Sequence, residues 1–318
     1  MEPQLTVNTE YMDKFWKFIY ERHLIWYKRF VLGQKAPWTK EQILKDYKFT
    51  NVYRELDRGT IFLLDNVINN EFTPMEQVFN IIVYRMFNRI DTWNSVGFLE
   101  ITKETTPQGK RYRHWDKRMA FEIWRNRMKE GIPLYTDAHM VCAYEHFPGK
   151  DKLERFEYIF DGVFKNLKSL MDTIRDAKSL QTIHLALMRN PGIGPFLAYE
   201  IAVDISYCEW NNHGEDEWVN PGPGCQRGLK RLFKDLKTGD CTWAIRVLRE
   251  AQRDEFQRLD LPFFSIAYKG RELTLRNIEH CCCEFFKYAK AIEGSGRPRN
   301  KFTPKAVVGA SDFVRLKG

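Results

Sequence analysis

A proline-glycine turn between two apolar segments constrains the fold of this chain more than any other feature. The turn is Asn190-Pro191-Gly192-Ile193-Gly194, and it separates the apolar run Ile183 to Met188 from the small-residue run Leu197 to Val203. Glycines adopt backbone angles closed to other residues, and the N–H groups of such a turn, at the start of the next helix, face an anion. The segment predicts a helix-hairpin-helix that holds a nucleic-acid phosphate; an ordinary turn between two helices is the alternative.

The segment after the turn predicts close packing of the two helices. Four of its residues fall on one face of a helix, namely Leu197, Ala198, Ile201 and Ala202. The main chains of Gly192, Ile193 and Gly194 are the predicted contacts with the nucleic-acid backbone, so no side chain reads base sequence there. We expect no cofactor apart from a structural monovalent cation at the hairpin, and no other metal.

Composition agrees with a polyanionic partner without identifying one. The chain has 50 Lys and Arg against 42 Asp and Glu, a formal charge of +8 and a pI near 9.0. Such a charge attracts polyanions, although many basic proteins never bind DNA. With 318 residues, 43% of them hydrophobic and 14% aromatic, one large domain or two closely packed lobes can bury a full core.

The sequence predicts an intracellular protein that does not enter a membrane. It has no run of about 18 apolar residues, and Met1 to Glu10 lacks a basic region followed by an apolar one. Its seven cysteines are odd in number, three are consecutive at Cys281, Cys282 and Cys283, and no CxxC pair accompanies them. Reduced thiols in the core or at the surface are therefore expected rather than a zinc site or a disulfide framework.

Helical periodicity dominates the chain. A first helix has Phe15, Phe18, Ile19, Arg22 and Ile25 on one face. Capping boxes are predicted at Thr39 with Gln42 and at Thr73 with Glu76. Further helices are predicted over residues 74 to 90, 116 to 130, 151 to 187, 196 to 208, 226 to 236, 240 to 252 and 275 to 292, and strand material is confined to short stretches such as 98 to 103 and 263 to 268. No GxxxxGK phosphate loop is found in the sequence.

An anion pocket is predicted near the N-terminus. In the run Phe49 to Arg58, four residues line one helical stripe, namely Asn51, Arg54, Glu55 and Arg58. Arg22 lies on an apolar face of the first helix and needs a carboxylate such as Asp57 to be tolerated inside. A buried ion-pair cluster beside exposed arginines is suited to binding an anion, whereas a solvated helix face is the alternative.

Three patterns near the C-terminus also suggest contacts. The Gly222-Pro223-Gly224 turn can present backbone N–H groups to an oxyanion, or can be purely structural. The small, basic stretch Glu293 to Arg299 can follow a backbone phosphate or be a solvated linker. A polar row on the last helix consists of Arg276, Glu279, His280, Glu284 and Lys287; Glu279 and His280 can exchange protons near neutral pH, although such rows are usually solvated.

One position argues against excision of a base. In helix-hairpin-helix DNA glycosylases a catalytic aspartate follows the hairpin, roughly where Asn220 stands here. An amide can neither stabilise an oxocarbenium-like sugar by charge nor deprotonate a nucleophile. Asp204 and Asp216 are the nearest substitutes, but neither has the expected placement.

Together, these residues resemble a known family. The resemblance rests on Glu21-Arg22, Pro37-Trp38-Thr39, Phe49 to Arg58, Asn190 to Gly194, Trp218 to Gly224, Ile278-Glu279-His280, Cys283 to Phe285 and Lys287-Tyr288. They are similar to the α-glutamyl/putrescinyl thymine pyrophosphorylase family, also described as the helical domain associated with 5-hydroxymethyl-deoxyuridine DNA kinases. The resemblance covers residues 12 to 304 and implies a mainly α, helix-hairpin-helix DNA glycosylase-like fold of two closely packed helical lobes.

The resemblance also implies a role in thymine hypermodification, chiefly in bacteriophages. In such pathways 5-hydroxymethyluracil in DNA is phosphorylated to a pyrophosphate ester, and an amine from an amino acid or polyamine replaces the pyrophosphate. This chain would be the transferase that makes the replacement, with double-stranded DNA carrying modified thymine as partner, the amine as co-substrate, and a separate base kinase preparing the substrate. The expected location is the host cytoplasm for a phage protein, or the nucleus for a eukaryotic one.

Roles follow for particular residues under this interpretation. The predicted proton acceptors are Asp57, Glu279 and His280, and the predicted pyrophosphate ligands are Arg22, Arg54 and Arg58. The flipped base would be bound by Trp38, Asn51, Tyr53 and Asn220. The predicted DNA-backbone contacts are Gly192, Ile193, Gly194, Gly222, Gly224, Arg227, Lys230 and Arg297.

The sequence is also compatible with two other functions, and it predicts a division of the chain into parts. The alternatives are a glycosylase that removes a modified thymine and a non-catalytic reader that holds modified DNA for a partner kinase. One glycosylase-like domain is expected over 1–318. Its predicted parts are N-terminal helices at 10–95, the hairpin lobe at 151–237, C-terminal helices at 238–304 and a tail at 305–318.

Overall fold

The computed structural model of the chain describes residues 3–105, 111–136 and 144–303. Most of these residues are helical, which confirms the predicted mainly α class. The helices are α1 (Thr9–Trp26), α2 (Gln42–Asp46), α3 (Arg58–Leu63), α4 (Pro74–Phe87), α5 (Ile90–Asn94), α6 (Lys117–Lys129), α7 (Lys152–Arg175), α8 (Leu180–Met188), α9 (Pro195–Ile205), α10 (Pro223–Leu232), α11 (Cys241–Arg258), α12 (Phe263–Ile266) and α13 (Leu275–Ile292).

Short strands and turns complete the described structure. Strand β1 (Thr6–Val7) pairs antiparallel with β4 (Phe233–Lys234), and β2 (Thr102–Thr105) pairs antiparallel with β3 (Arg111–His114). A π-helical turn, Tyr27–Val31, continues α1, and another, Leu64–Ile68, continues α3. Arg54–Leu56, Thr238–Asp240 and Tyr268–Gly270 form 3-10 turns.

The chain divides into two compact units. The first unit is Met1–Asp57 with Val219–Gly318, and the second is Arg58–Trp218. The predicted boundaries do not coincide with this division, since residue 95 lies inside the second unit and residue 237 inside the first. The predicted tail at 305–318 lies outside the described residues.

The first unit is built around α13. Its apolar face packs with α1, α10 and α11, and the buried side chains include Phe15, Trp16, Ile278 and Phe285. Gly228 on α10 lies so close to α13 that a Cβ there would overlap the backbone of Cys282. The consecutive cysteines of α13 are thus small residues at a helix-helix contact, and burial raises the pKa of the Cys281 and Cys283 thiols.

The second unit has a separate apolar core formed by α4, α7, α8 and α9. A buried ion pair is set into it, because Arg85 donates from Nη2 to Asp204 Oδ1 over 2.8 Å and from Nε to the other carboxylate oxygen. Asp204 is fully enclosed. Its carboxylate therefore holds a buried arginine, which removes it as a substitute for a catalytic aspartate.

Several element predictions need correction. The helix predicted over 151 to 187 is two helices, because Ser179 caps a new helix by accepting a hydrogen bond from the Thr182 N–H. Phe263–Ile266 is a short helix and Tyr268 begins a 3-10 turn, so residues 263 to 268 do not form the predicted strand. The Thr73 capping box is confirmed, but at α2 the N-cap is Glu41, and the Thr39 hydroxyl donates to Glu21 instead.

Candidate functional site

The predicted helical stripe at residues 51 to 58 is wrong, because side chains close this segment into a loop. The Asn51 N–H donates to Asp57 Oδ1 over 3.0 Å, and the Asn51 Nδ2 donates to the Leu56 carbonyl over 2.6 Å. Such side chain to backbone bonds compete with helical hydrogen bonding. Only Arg54–Leu56 forms a helical turn, of the 3-10 type. The loop therefore brings Asn51 and Asp57 into direct contact.

Arg22 fixes this loop to α1. Its Nη2 donates to the Phe49 carbonyl over 2.8 Å and to the Asn51 Oδ1 over 3.1 Å. The predicted carboxylate neighbour is Asp57, and the structure brings it near, but it acts through the electrostatic field while Asn51 makes the contact. Burial lowers the pKa of Arg22, and the charges of Asp57 and Glu284 partly oppose that effect.

Helix α13 supplies the other side of the site. His280 and Glu284 are one helical turn apart and so share a face. The Glu284 Oε2 accepts from the Thr50 N–H over 3.2 Å, and its Oε1 pairs with Lys287 Nζ at 2.5 Å. The His280 Nε2 forms a hydrogen bond with the Thr50 hydroxyl. Residues distant in sequence therefore meet around one loop.

Asp57 and His280 form a pair of acid-base side chains at the centre of this arrangement. The His280 Nε2 lies 3.9 Å from the Asp57 Oδ2, and the two side chains are 14% and 24% exposed. Burial raises the pKa of Asp57 to about 6, although the Asn51 N–H, Arg54 and Arg22 act in the opposite direction. A carboxylate with this pKa is mainly ionised at neutral pH and can accept a proton there.

The three predicted pyrophosphate ligands occupy different environments. Arg22 is half-buried, Arg54 is only 3% exposed, and Arg58 is exposed. Arg54 is close enough to Asp57 to lower the pKa of that carboxyl. Arg58 begins α3 of the second unit, so the structure groups Arg22 and Arg54, but not Arg58, within the first unit.

Glu279 has a structural environment that differs from that of His280. Its Oε2 accepts from Arg276 Nη1 over 2.7 Å, its Oε1 accepts from the Gly222 N–H over 3.4 Å, and both charged side chains are buried. An enclosed carboxylate already bound to an arginine is poorly suited to take a proton from a substrate. The acid-base pairing of Glu279 with His280 is thus replaced by that of Asp57 with His280.

The Gly222-Pro223-Gly224 turn packs against α13. The Gly222 N–H is directed to Glu279 rather than to an outside oxyanion. A Cβ on Gly224 would lie 2.5 Å from the Cys283 Sγ, so packing against α13 disfavours a larger residue at this position. The structural alternative therefore accounts for both glycines. Asn220 is half-buried just before this turn.

The predicted base-stacking rings are in the core. Trp38 is 7% exposed and donates from Nε1 to the Gln34 carbonyl over 2.6 Å. Tyr53 is 1% exposed, and its hydroxyl donates to the Arg271 carbonyl over 2.6 Å. An enclosed ring offers no open face to a base, so the structure favours the aromatic-core alternative for both residues.

The hairpin is a turn between α8 and α9 in the second unit. Gly192 has φ +71°, a backbone angle that favours glycine, and the Ile193 side chain is 3% exposed. Leu197, Ala198, Ile201 and Ala202 are all buried, as predicted. The Ile193 N–H donates to the Asn190 carbonyl over 3.3 Å, so this N–H group is already hydrogen-bonded within the turn.

The far end of the hairpin faces solvent. Gly194 is exposed, and no described residue accepts a backbone hydrogen bond from its N–H. Phe196, in the first turn of α9, is 53% exposed. The bend is therefore not sealed inside the core, and phosphate binding at Gly194 stays a prediction.

Sequence reasoning gave no role to Thr50 or Glu284 in positioning the acid-base pair. Thr50 contacts both His280 and Glu284. The signal that could have found Glu284 is its spacing of four residues from His280, which puts the two on one helix face. Nothing local marks Thr50, because its partners lie more than 200 residues away.

Membrane-spanning helices and metal clusters are both absent from the described residues. None of the helices in these ranges is both long and apolar enough to cross a membrane. Within the same ranges, no group of three His, Cys, Asp or Glu side chains is arranged to hold a metal ion.

Comparisons with known proteins agree with the predicted relationship at the level of the helical module. The family model described as 5-hmdU DNA kinase, helical domain, matches residues 9–296. A protein of Bacillus phage SP10 described as 5-hmdU DNA kinase is 29% identical over 295 residues, which cover 87% of this chain and 44% of that protein. The chain therefore spans less than half of the relative's length. No solved structure gives a significant match, and the glycosylase-like topology stays a prediction.

Proposed function

The chain belongs to the family of the 5-hmdU DNA kinase helical domain, and from this premise we propose that it is a transferase of DNA thymine hypermodification. Its substrate is DNA that carries 5-(pyrophosphoryloxymethyl)uracil, and it replaces the pyrophosphate with the amine of an amino acid or polyamine. The name of the phage relative supports 5-hydroxymethyl-deoxyuridine in DNA as the precursor. A base kinase prepares the substrate.

The observation that carries this proposal is the approach of Asp57 and His280 beside Arg22. A half-buried arginine attracts the pyrophosphate, whereas a carboxylate with a pKa of about 6 accepts a proton near neutral pH. Both kinds of group are needed, because the leaving group is anionic and the incoming amine must lose a proton. Arg54, which is buried, acts by keeping Asp57 ionised. Arg58 has no role in this proposal.

The proposed reaction balances as a substitution at the 5-methylene carbon. The bond from this carbon to the pyrophosphate oxygen breaks, and its electron pair leaves with pyrophosphate. The uracil ring assists departure through an electron-poor methide-like intermediate, and the arginine charge stabilises the leaving anion. The amine nitrogen then bonds to the carbon, and its proton passes to Asp57 or His280.

The decisive experiment measures transfer of a labelled amine to pyrophosphorylated 5-hydroxymethyluracil duplex, with mass spectrometry of the nucleosides. We expect the D57N and H280Q variants each to lower the rate by about 100-fold or more, because general base catalysis contributes about that much. Asp254, an exposed residue of α11 in the same unit, provides the matched control D254N. A folded D57N variant that transfers at the rate of D254N would remove this site from the mechanism.

A non-catalytic reader is the second candidate. The matching family model describes a domain of a kinase, and the chain covers 44% of the phage relative, which is compatible with a module that presents DNA to another domain. This function predicts tight binding of modified DNA without any new nucleoside in the same mass-spectrometric experiment.

A further inference from the structure

Helices α10 and α13 expose a basic surface that the proposed reaction does not use. It consists of Arg227, Lys230 and Arg231 from α10 with Phe286 and Lys290 from α13, and we name it the α10–α13 basic surface. Arg227 and Lys230 are exposed, and the other three are half-buried. The sequence of α10, which the structure describes in full, contains no acidic residue. The surface therefore has a concentrated positive charge.

The ring of Phe286 organises the cations. Arg227 Cζ lies 5.7 Å from the ring centroid, Arg231 Cζ 5.2 Å and Lys290 Nζ 4.8 Å. A guanidinium at this distance is attracted to the ring, which restricts its side chain and leaves its N–H edges available. Less conformational entropy is then lost when these groups bind an anion.

One of these cations is fixed, and the others have no ionic partner among the described residues. Arg231 forms two hydrogen bonds of 3.2 Å with Glu293, which also accepts from the Tyr11 hydroxyl over 2.9 Å. No described carboxylate forms an ion pair with Arg227, Lys230 or Lys290. Glu293 thus anchors the edge of the surface, and three positive charges remain to face a ligand.

The basic stretch after α13 borders the same surface. A Cβ on Gly296 would lie 3.6 Å from the Lys290 Cδ, so the chain passes directly beside Lys290. Arg297 follows and is exposed. The surface consequently extends from α10 across Phe286 to the segment that contains Arg297.

We propose that the α10–α13 basic surface binds the phosphodiester backbone of duplex DNA without regard to base sequence. Arginine matches a phosphate through its planar fork of donors, and a row of cations suits a regularly charged polyanion. A membrane surface fits less well, since Ile292 is the only large exposed hydrophobic side chain among the described residues of α10 and α13. The choice of DNA as the polyanion rests on the proposed function.

The test compares DNA affinity of the full chain and of the triple variant R227Q/K230Q/K290Q over a range of KCl concentrations. Fluorescence anisotropy is measured with labelled duplexes of about two helical turns, with and without 5-hydroxymethyluracil. We expect the variant to bind both duplexes at least about 10-fold more weakly, by the same factor. The slope of log K against log salt should become shallower by about 2 to 3, since each phosphate contact contributes about 0.9.

A matched control removes the same amount of charge elsewhere. The K129Q/K165Q/K168Q variant alters three exposed lysines of α6 and α7 for which the described residues provide no ion pair. Equal affinity and equal salt slopes for the two triple variants would overturn the proposal. It would also be overturned if the surface variant lost binding only to vesicles that contain anionic lipid. The binding assay does not depend on catalysis. If the chain transferred no amine but its DNA binding still depended on the α10–α13 basic surface, only the proposed reaction would be rejected.

Discussion

The ionisation of Asp57 is the central question at the scale of single residues. Burial raises its pKa to about 6, although Asn51, Arg54 and Arg22 all favour the charged form. Desolvation and the neighbouring Glu284 charge together therefore exceed the combined effect of those three neighbours on the pKa. The result is a carboxylate that changes charge close to neutral pH rather than near its ordinary value.

The pH dependence of amine transfer tests this assignment. We expect kcat/KM to rise with pH through about 6, because Asp57 accepts a proton only when ionised. Rates of the wild-type chain and of D57N should be measured from about pH 5 to 8 with the same amine, after correction for protonation of the amine itself. If the residual activity of D57N still rose with pH near 6, the group that titrates there would not be Asp57.

The same ionisation has a consequence for stability. The folded carboxyl has a pKa of about 6 against an ordinary value of 3.8, so the native state binds more protons than the unfolded state between these pH values. Stability from this group is thus lost as pH rises through the window. Because the side chain is partly exposed, we expect the free energy of unfolding of D57N relative to wild type to increase by about 1 to 2 kcal/mol between about pH 4 and 7. Urea unfolding of both chains at several pH values measures this difference.

At the scale of elements, glycines set the distance between α10 and α13. Gly228 has no room for a Cβ, because the atom it would meet is the backbone carbonyl of Cys282, which cannot rotate away. An alanine normally favours a helix by about 1 kcal/mol over glycine. Here the steric clash opposes that gain in helix stability. One of the two helices, together with its side chains, must shift to make room for the Cβ.

We therefore expect G228A to lower the free energy of unfolding by about 1 to 3 kcal/mol, as overpacking commonly does. A Cβ on Gly239 would have no neighbouring atom within 4 Å, which makes G239A the control, with an effect within about 0.5 kcal/mol. Urea unfolding followed by circular dichroism measures both. Equal stability of the two variants would mean that the helices separate without cost.

At the scale of the whole molecule, the two units contain different kinds of functional group. The hairpin and the buried Arg85–Asp204 pair lie in the second unit, whereas the Asp57–His280 pair lies in the first. Asn220 lacks a charge, and Asp204 is enclosed and ion-paired. Neither therefore provides the accessible carboxylate that base excision at the hairpin requires.

Incubation of the chain with duplexes that contain 5-hydroxymethyluracil, or its pyrophosphate ester, should therefore release no base. Alkali treatment and gel electrophoresis reveal abasic sites as strand breaks. A uracil-containing duplex treated with a uracil-DNA glycosylase is the positive control. Breaks at modified positions that increase with the amount of the chain would favour the glycosylase alternative over amine transfer.

The sequence by itself determined the helical class, the hairpin turn and the residue types of the site. Gly192, the Thr73 capping box and the buried face of α9 were predictable because each depends on neighbours within a few residues. Local periodicity failed at residues 51 to 58, where Asn51 and Asp57 form a loop instead of a helical stripe.

Only the tertiary structure decided which of the predicted acids and arginines meet. Asp57 lies close to His280, whereas Glu279 forms an ion pair with Arg276 and accepts a hydrogen bond from the Gly222 N–H. These choices depend on contacts between segments far apart in the chain, or on how closely two helices pack. Burial then sets the charge of each group, because desolvation depends on everything that surrounds a side chain and not on its neighbours in sequence.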